Sequence, residues 1–312
     1  MIRARWGACL LALALAGSAA ASPDSGDALM LRFKGVSARL VLVSHAMMPG
    51  EVLDVSVTTP GRGRVALVAG DAVRRGGHAW RYRAPDRPGA MTRLTWREGR
   101  RTATLQIFVM RPFDAVADTS LNGYDIGRYV SRPYKGLELY TPPRGLIEVT
   151  PDLLDLHVSP NFRLKEFLCK QPGGYPRYLL LRTRLLLKLE YLLARAREAG
   201  LTRRPFTIMS GYRTPRYNSA IGNRTIYSRH LYGGAADIFI DDAPRDGVMD
   251  DLNGDGRIDL ADATVLYDLV VGQVGSPAYR PYLGGLARYP ARGGHGPFLH
   301  VDVRGVLTRW GE

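Results

Sequence analysis

Between residues 28 and 113 apolar and polar positions alternate in short runs: LRFKGV, ARLVLVSH, VLDVSVTT, RVALVA, AWRYRAP, MTRLTWRE and TATLQIFVM. Turn residues such as Pro49-Gly50, Gly70-Asp71 and Pro88-Gly89 part them. A period of two, interrupted this regularly, predicts a small all-β sandwich for 28–113. The pattern then weakens. Residues 114–160 are turn-rich, with NGYDIGRY and YTPPRG, and predict a connector. From residue 161 the character changes again. FRLKEFLCK suggests a short helix, and residues 177–199 a long leucine-rich helix stopped by Gly200. PFTIMS, GAADIFI and FLHVDV predict sheet strands. The expected architecture is a β-sandwich followed by an α+β domain over 161–312.

Residues 1–21 have the form of a secretory signal peptide: Arg3 and Arg5, then the apolar stretch ACLLALALAG, then small residues with Ala19 and Ala21 at A-x-A spacing. Its removal would take away two Arg and no acid, lowering the net charge from +14 to +12. Cys169 is then the one remaining cysteine, so no internal disulfide is expected. An exported basic chain points to cell-wall polymers or anionic surfaces as partners rather than nucleic acid. No later apolar run approaches the ~20 residues of a membrane span.

The chemistry gathers in the C-terminal part. His230, Asp237 and His300 supply two imidazoles and a carboxylate, an open zinc set that leaves a fourth position for water. In FLHVDV, side chains alternate, so His300 and Asp302 share a face with Phe298 while Leu299, Val301 and Val303 take the other. His45 and His78 have no partner at ligand spacing and are expected to be structural or solvated.

Ser228 to Asp237, SRHLYGGAAD, fits S-x-H-x-x-G-x-A-x-D at all five fixed positions. With SGYRTPRYN upstream, and GGLARYP, GPFLHVDVRG and Arg309-Trp310 at the end, 161–312 resembles the M15 family of zinc D,D-peptidases, in its exported DUF882-like branch. The N-terminal part loosely resembles a bacterial immunoglobulin-like module. The M15 resemblance implies zinc ligands at His230, Asp237 and His300 and a substrate-facing Arg213, a catalytic residue that would pin a carboxylate or stabilise the oxyanion. Ser228 is expected to bind substrate. It departs from the family at Pro297 and Phe298, where many members carry the general base. His295 and Asp302 are the proton-handling groups closest in sequence to His300. His295 is favoured as base or oxyanion stabiliser, because an imidazole titrates near neutrality. Asp302 is expected as orienter or base.

A second metal is expected at DLNGDGRIDLAD, residues 251–262. Asp251, Asn253, Asp255 and Asp259 fall at positions 1, 3, 5 and 9 of a calcium loop, with Gly256 at 6, the Arg257 carbonyl at 7 and Asp262 at 12. The expectation is an exported zinc metallopeptidase, periplasmic or wall-associated, cleaving peptidoglycan stem peptides or cross-links, with a structural Ca²⁺. A wall or envelope protein would be held by the sandwich. The alternative is a non-catalytic peptidoglycan-binding or scaffold protein that keeps the zinc-peptidase fold.

Overall fold

A computed structural model describes residues 28–59 and 63–311, so the expected signal peptide lies outside the described residues. The N-terminal part is built from β1 (Met30–Phe33), β2 (Val36–Ala38), β3 (Leu42–Met47), β4 (Val52–Thr58), β5 (Ala66–Ala69), β6 (Val73–Gly76), β7 (Ala79–Arg83), β8 (Met91–Glu98) and β9 (Arg101–Val109). One sheet has the order β2-β1-β4-β7-β6 and the other β3-β9-β8-β5. Alternate residues of both sheets, among them Leu31, Val55, Trp80, Leu94, Trp96 and Leu105, enclose one core. Trp80 and Trp96 meet edge to face at 5.7 Å at its centre. Strand β6, whose residues are all exposed, has no apolar alternation to announce it.

Beyond β9 come β10 (Arg111–Pro112), β11 (Ser120–Leu121), β12 (Tyr124–Asp125), β13 (Gly145–Val149) and β14 (Arg177–Leu179). Strand β13 pairs with β10 on one side and β14 on the other. Two expectations change here. Segment 114–160 is no mere tether: Tyr124, Tyr129, Tyr140, Leu146 and Val158 are buried in the same core as the α+β domain. The leucine-rich helix begins later than residue 177, because Tyr178 and Leu179 pair with Glu148 and Ile147 as strand. Helix α1 covers Thr183–Glu198.

The remaining elements are β15 (Thr207–Ser210), α2 (Pro215–Ala220), β16 (Ala235–Phe239), α3 (Leu260–Gln273), β17 (Gly285–Tyr289), β18 (Phe298–Asp302) and β19 (Thr308–Trp310). They give a five-stranded sheet of order β15-β16-β18-β17-β19, with β19 parallel to β17. The three strands expected from sequence are β15, β16 and β18. Strands β17 and β19 complete the sheet. FRLKEFLCK forms a 3₁₀ turn at Leu164–Phe167.

The two parts meet along β3, β9 and α1. Leu187 of α1 is buried in the sandwich core. The Gln106 amide, fully buried on β9, donates to Ser44 Oγ at 3.1 Å and to the His157 carbonyl at 3.2 Å. The Thr183 hydroxyl donates to the Ser44 carbonyl at 2.8 Å and so accepts from His45 Nδ1 at 3.0 Å. No helix among the described residues is long and apolar enough to cross a membrane.

Candidate metal centre

His230 lies on a 3₁₀ turn, Arg229–Tyr232, closed by Gly233 in a left-handed conformation (φ 63°). A Cβ at Gly233 would fall 2.4 Å from the Leu180 carbonyl, so both the φ and the close approach require glycine. Asp237 on β16 and His300 on β18 are direct partners across the antiparallel ladder. Partners in such a ladder present their side chains on the same face, and the 3₁₀ turn brings His230 over that face. Among the described residues, His230, Asp237 and His300 form a buried set whose ligand atoms all lie within 4.8 Å of one another.

The hydrogen bonds behind these residues decide which nitrogens face inward. The Gly211 carbonyl can only accept, so His230 Nδ1, 2.7 Å away, carries the proton and Nε2 presents a lone pair. That Nε2 lies 3.2 Å from both His300 Nδ1 and Asp237 Oδ1. His300 Nδ1 is 2.8 Å from Asp237 Oδ1, and its Nε2 is 3.4 Å from Asp302 Oδ2. With the outer nitrogens donating to Gly211 and Asp302, the inner faces are two imidazole lone pairs and a carboxylate. Three acceptors this close need a shared proton or a cation among them, and the N,N,O donor set suits a divalent metal.

Electrostatics separate the two imidazoles. Burial pushes His230 below its usual range, as a ligand that must be neutral requires, whereas the Asp237 and Asp302 carboxylates raise His300 against its burial. Burial alone would raise the Asp237 carboxyl, but protons shared with His230 and His300 hold it well below its ordinary value; a bound cation would take the place of those protons. Asp302 is fully buried beneath His300. It also accepts from the Gly285 amide at 2.7 Å, from the Arg304 amide at 3.0 Å and from the Arg304 guanidinium. Against its burial, the bonds from His300 and Arg304 keep it ionised far below the carboxylate range. This geometry fits Asp302 to the first of its two expected roles, the orienter of His300.

Arg213, expected to face substrate, donates through its guanidinium to Asp237 Oδ2 and through its Nε to Ser210 Oγ at 2.8 Å, and so holds the Asp237 carboxylate. Arg213 nonetheless lines, with Ser228 and His295, the open cleft of about 780 Å³ that holds the three-residue set. His295 sits on the turn before β18, its ring edge against Phe298 at 5.1 Å. Its Nδ1 donates to the Gly296 carbonyl at 2.7 Å, which leaves Nε2 as the acceptor of the neutral ring.

Sequence patterning missed several residues. Trp310 packs on His300 at 5.1 Å and Arg304 lies over the Trp310 ring at 5.0 Å. Gly285 lets Asp302 and Trp310 approach, since a Cβ there would sit 2.3 Å from Asp302 Oδ2. Arg304 follows Asp302 by two residues and was within reach of a motif. Tyr134 and Tyr140, in the cleft wall, come from the segment expected to be a connector and had no local signal.

The acidic loop behaves differently. Asp251 accepts from the Gly254 and Gly256 amides at 2.7 and 2.8 Å, and Asp255 from the Arg257 amide at 2.9 Å. Asp259 caps α3 by accepting from the Ala261 amide, and Asp262 returns a bond from the Asp259 amide. Its carboxylates are engaged with backbone amides rather than gathered into a converged set.

No curated protein and no solved structure matches the chain. Residues 161–254 match the family described as Peptidase M15, a stretch that includes His230 and Asp237 and ends before His300, and the match supports an M15-family peptidase.

Proposed function

We propose that the chain is an exported zinc metallopeptidase that cleaves peptidoglycan stem peptides or cross-links, with D,D-endopeptidase or carboxypeptidase action, in the DUF882-like branch. The observation that carries this reading is the convergence of His230, Asp237 and His300 on the floor of an open cleft. Bound zinc would supply Lewis acidity toward the scissile carbonyl and toward water. The chain's own groups do the rest. Gly211 and Asp302 fix the two imidazoles, Arg213 fixes the Asp237 carboxylate, and His295, in the lining of the same cleft, would take and return a proton at Nε2. Ser228 contributes to substrate contact along the same wall.

The immunoglobulin-like reading of the sandwich and its role in docking belong to this proposal. Residues 28–113 hold fifteen Lys and Arg against five Asp and Glu, a net +10 of the chain's +14. Such a field favours attachment to an anionic wall or envelope surface in the periplasm or cell wall. A structural Ca²⁺ in 251–262 is also part of the proposal, supported by its ligand spacing.

Pro297 and Phe298, which cannot accept a proton, favour the second reading, a wall-binding scaffold without turnover. Digestion of purified muropeptides with and without a zinc chelator, read by mass spectrometry, separates the two. Chelator-sensitive products support the peptidase. Chelator-insensitive binding with no product overturns it in favour of the scaffold.

A further inference from the structure

The metal centre occupies only part of its cleft. Tyr134, Tyr140 and Tyr227 line the same cavity and pack on one another, with ring centroids 5.6, 5.1 and 5.6 Å apart for the three pairs. Tyr134 stands 42% exposed although its ring is large. Asn223, Thr225 and Ser228 add amide and hydroxyl groups to the same lining.

The aromatic group is held rigidly. Arg229, next to the ligand His230, donates through Nη1 to the Leu139 carbonyl at 2.7 Å and lays its guanidinium over the Tyr140 ring at 4.8 Å. Arg182 donates to the same carbonyl at 3.2 Å. The Tyr227 hydroxyl donates to the Arg132 carbonyl at 3.1 Å. Segment 132–140 is thus clamped to the metal-bearing domain from both sides of the ring cluster, and an exposed ring so fixed loses little entropy on binding.

Tyr134, with the Lys135 ammonium over its ring at 5.3 Å, is an exposed aromatic beside hydroxyl and amide groups, and the set fits a ligand that is apolar on one face and polar at its rim. A pyranose ring has that character: axial C–H groups on the face and hydroxyls around the edge. A peptide backbone asks instead for a row of main-chain donors and acceptors. We propose that Tyr134, backed by Tyr140 and Tyr227, is a saccharide subsite adjoining the metal centre, and that the chain prefers stem peptides still attached to the glycan over free peptides. This inference rests on the peptidoglycan reading above and names the form of its substrate.

The test compares a disaccharide-linked stem peptide with the same peptide freed of sugar. Calorimetric titration of each into metal-free full-length protein should show roughly 3–10-fold tighter binding of the glycan-linked form, the scale of one aromatic contact. Tyr134→Ala should erase that preference and Tyr134→Trp keep it. With zinc restored, the ratio of kcat/KM for linked over free substrate should follow the same order across the three proteins. Equal binding of both forms by the unmodified protein, or a preference that survives Tyr134→Ala, overturns the subsite. Preferential binding without cleavage of either form supports the subsite and retires the peptidase. Cleavage of both with equal kcat/KM does the reverse.

Discussion

Asp302 accepts from His300, from the Gly285 and Arg304 amides and from the Arg304 guanidinium, which leaves its oxygens no capacity for a further proton. His295 differs in kind: Nδ1 is committed to the Gly296 carbonyl, which leaves Nε2 as the acceptor of the neutral ring. The two residues therefore separate cleanly by experiment. His295→Ala should retain about one zinc per chain and lose roughly 10²–10⁴ in turnover, the scale of a lost acid–base group. Asp302→Ala should weaken zinc affinity by about 10–100-fold, measured by competition with a chelating dye, because His300 loses its orienting partner. A zinc-loaded, inactive Asp302→Ala beside a fully active His295→Ala would reverse the roles. The ligand trio was legible in sequence because its spacing lies within one motif and one alternating strand. The partners of Asp302 were only partly so, since the Gly285 amide reaches it across the β17–β18 pairing, which no local pattern reports.

Elements were read best where burial is one-sided. β4, β7 and β8 follow the alternation of their runs, whereas β6 is exposed throughout and Tyr178-Leu179 sit in a leucine-rich stretch whose strand and helix periods cannot be told apart. The loop before α3 is the element whose ligand spacing and present geometry differ most. Asp259 and Asp262 cap the helix, and Asp251 and Asp255 hold loop amides. Under the calcium reading, millimolar Ca²⁺ added to metal-free protein should raise its melting temperature, because an ion bound by the folded loop alone stabilises it by mass action. Asp255→Ala should abolish the rise. A melting curve unmoved by Ca²⁺ in the unmodified chain removes that ion from the account.

At the scale of the molecule, the boundary drawn by composition near residue 160 cuts through a core. The Tyr129 hydroxyl bonds with that of Tyr212 at 2.8 Å and donates to the Leu231 carbonyl at 2.9 Å, one residue from the ligand His230. A chain starting at 158 loses this support together with β13. It should fail to show a cooperative melt, whereas one starting at 111 should fold and bind zinc, less stably for the exposure of Leu187. The seam between the parts carries a pH signature. His45 donates through Nδ1 to Thr183, and its Nε2 is buried without a partner, so burial and the nearby Lys34 charge push the imidazole down to about 4. The unfolded chain, titrating near 6.5, binds the extra proton first. The contribution, up to about 3 kcal/mol, is therefore whole above pH 6.5 and is lost as pH falls toward 4. His45→Gln should flatten the fall in melting temperature across that window relative to the unmodified protein. Parallel curves for the two would exclude His45 as the cause.

The ladder that places Asp237 opposite His300 has a consequence for how such a chain can diverge. Their Cα separation is set by the spacing of two adjacent strands, about 4.5–5.5 Å, and owes nothing to the length of chain between them. Residues 240–297, with the acidic loop, α3 and β17, form an excursion that leaves one strand of the pair and returns on the other. Its exposed acidic loop is a natural site of variation, able to lengthen, shorten or acquire new attachments while the two ligands keep their register; α3 is tied to the core by Ala263, Leu266, Tyr267 and Val270. A one-residue slip in the β16–β18 pairing, by contrast, would turn one of the two ligands to the opposite face of the sheet. Natural and engineered variation alike should accumulate in that loop and spare the pairing.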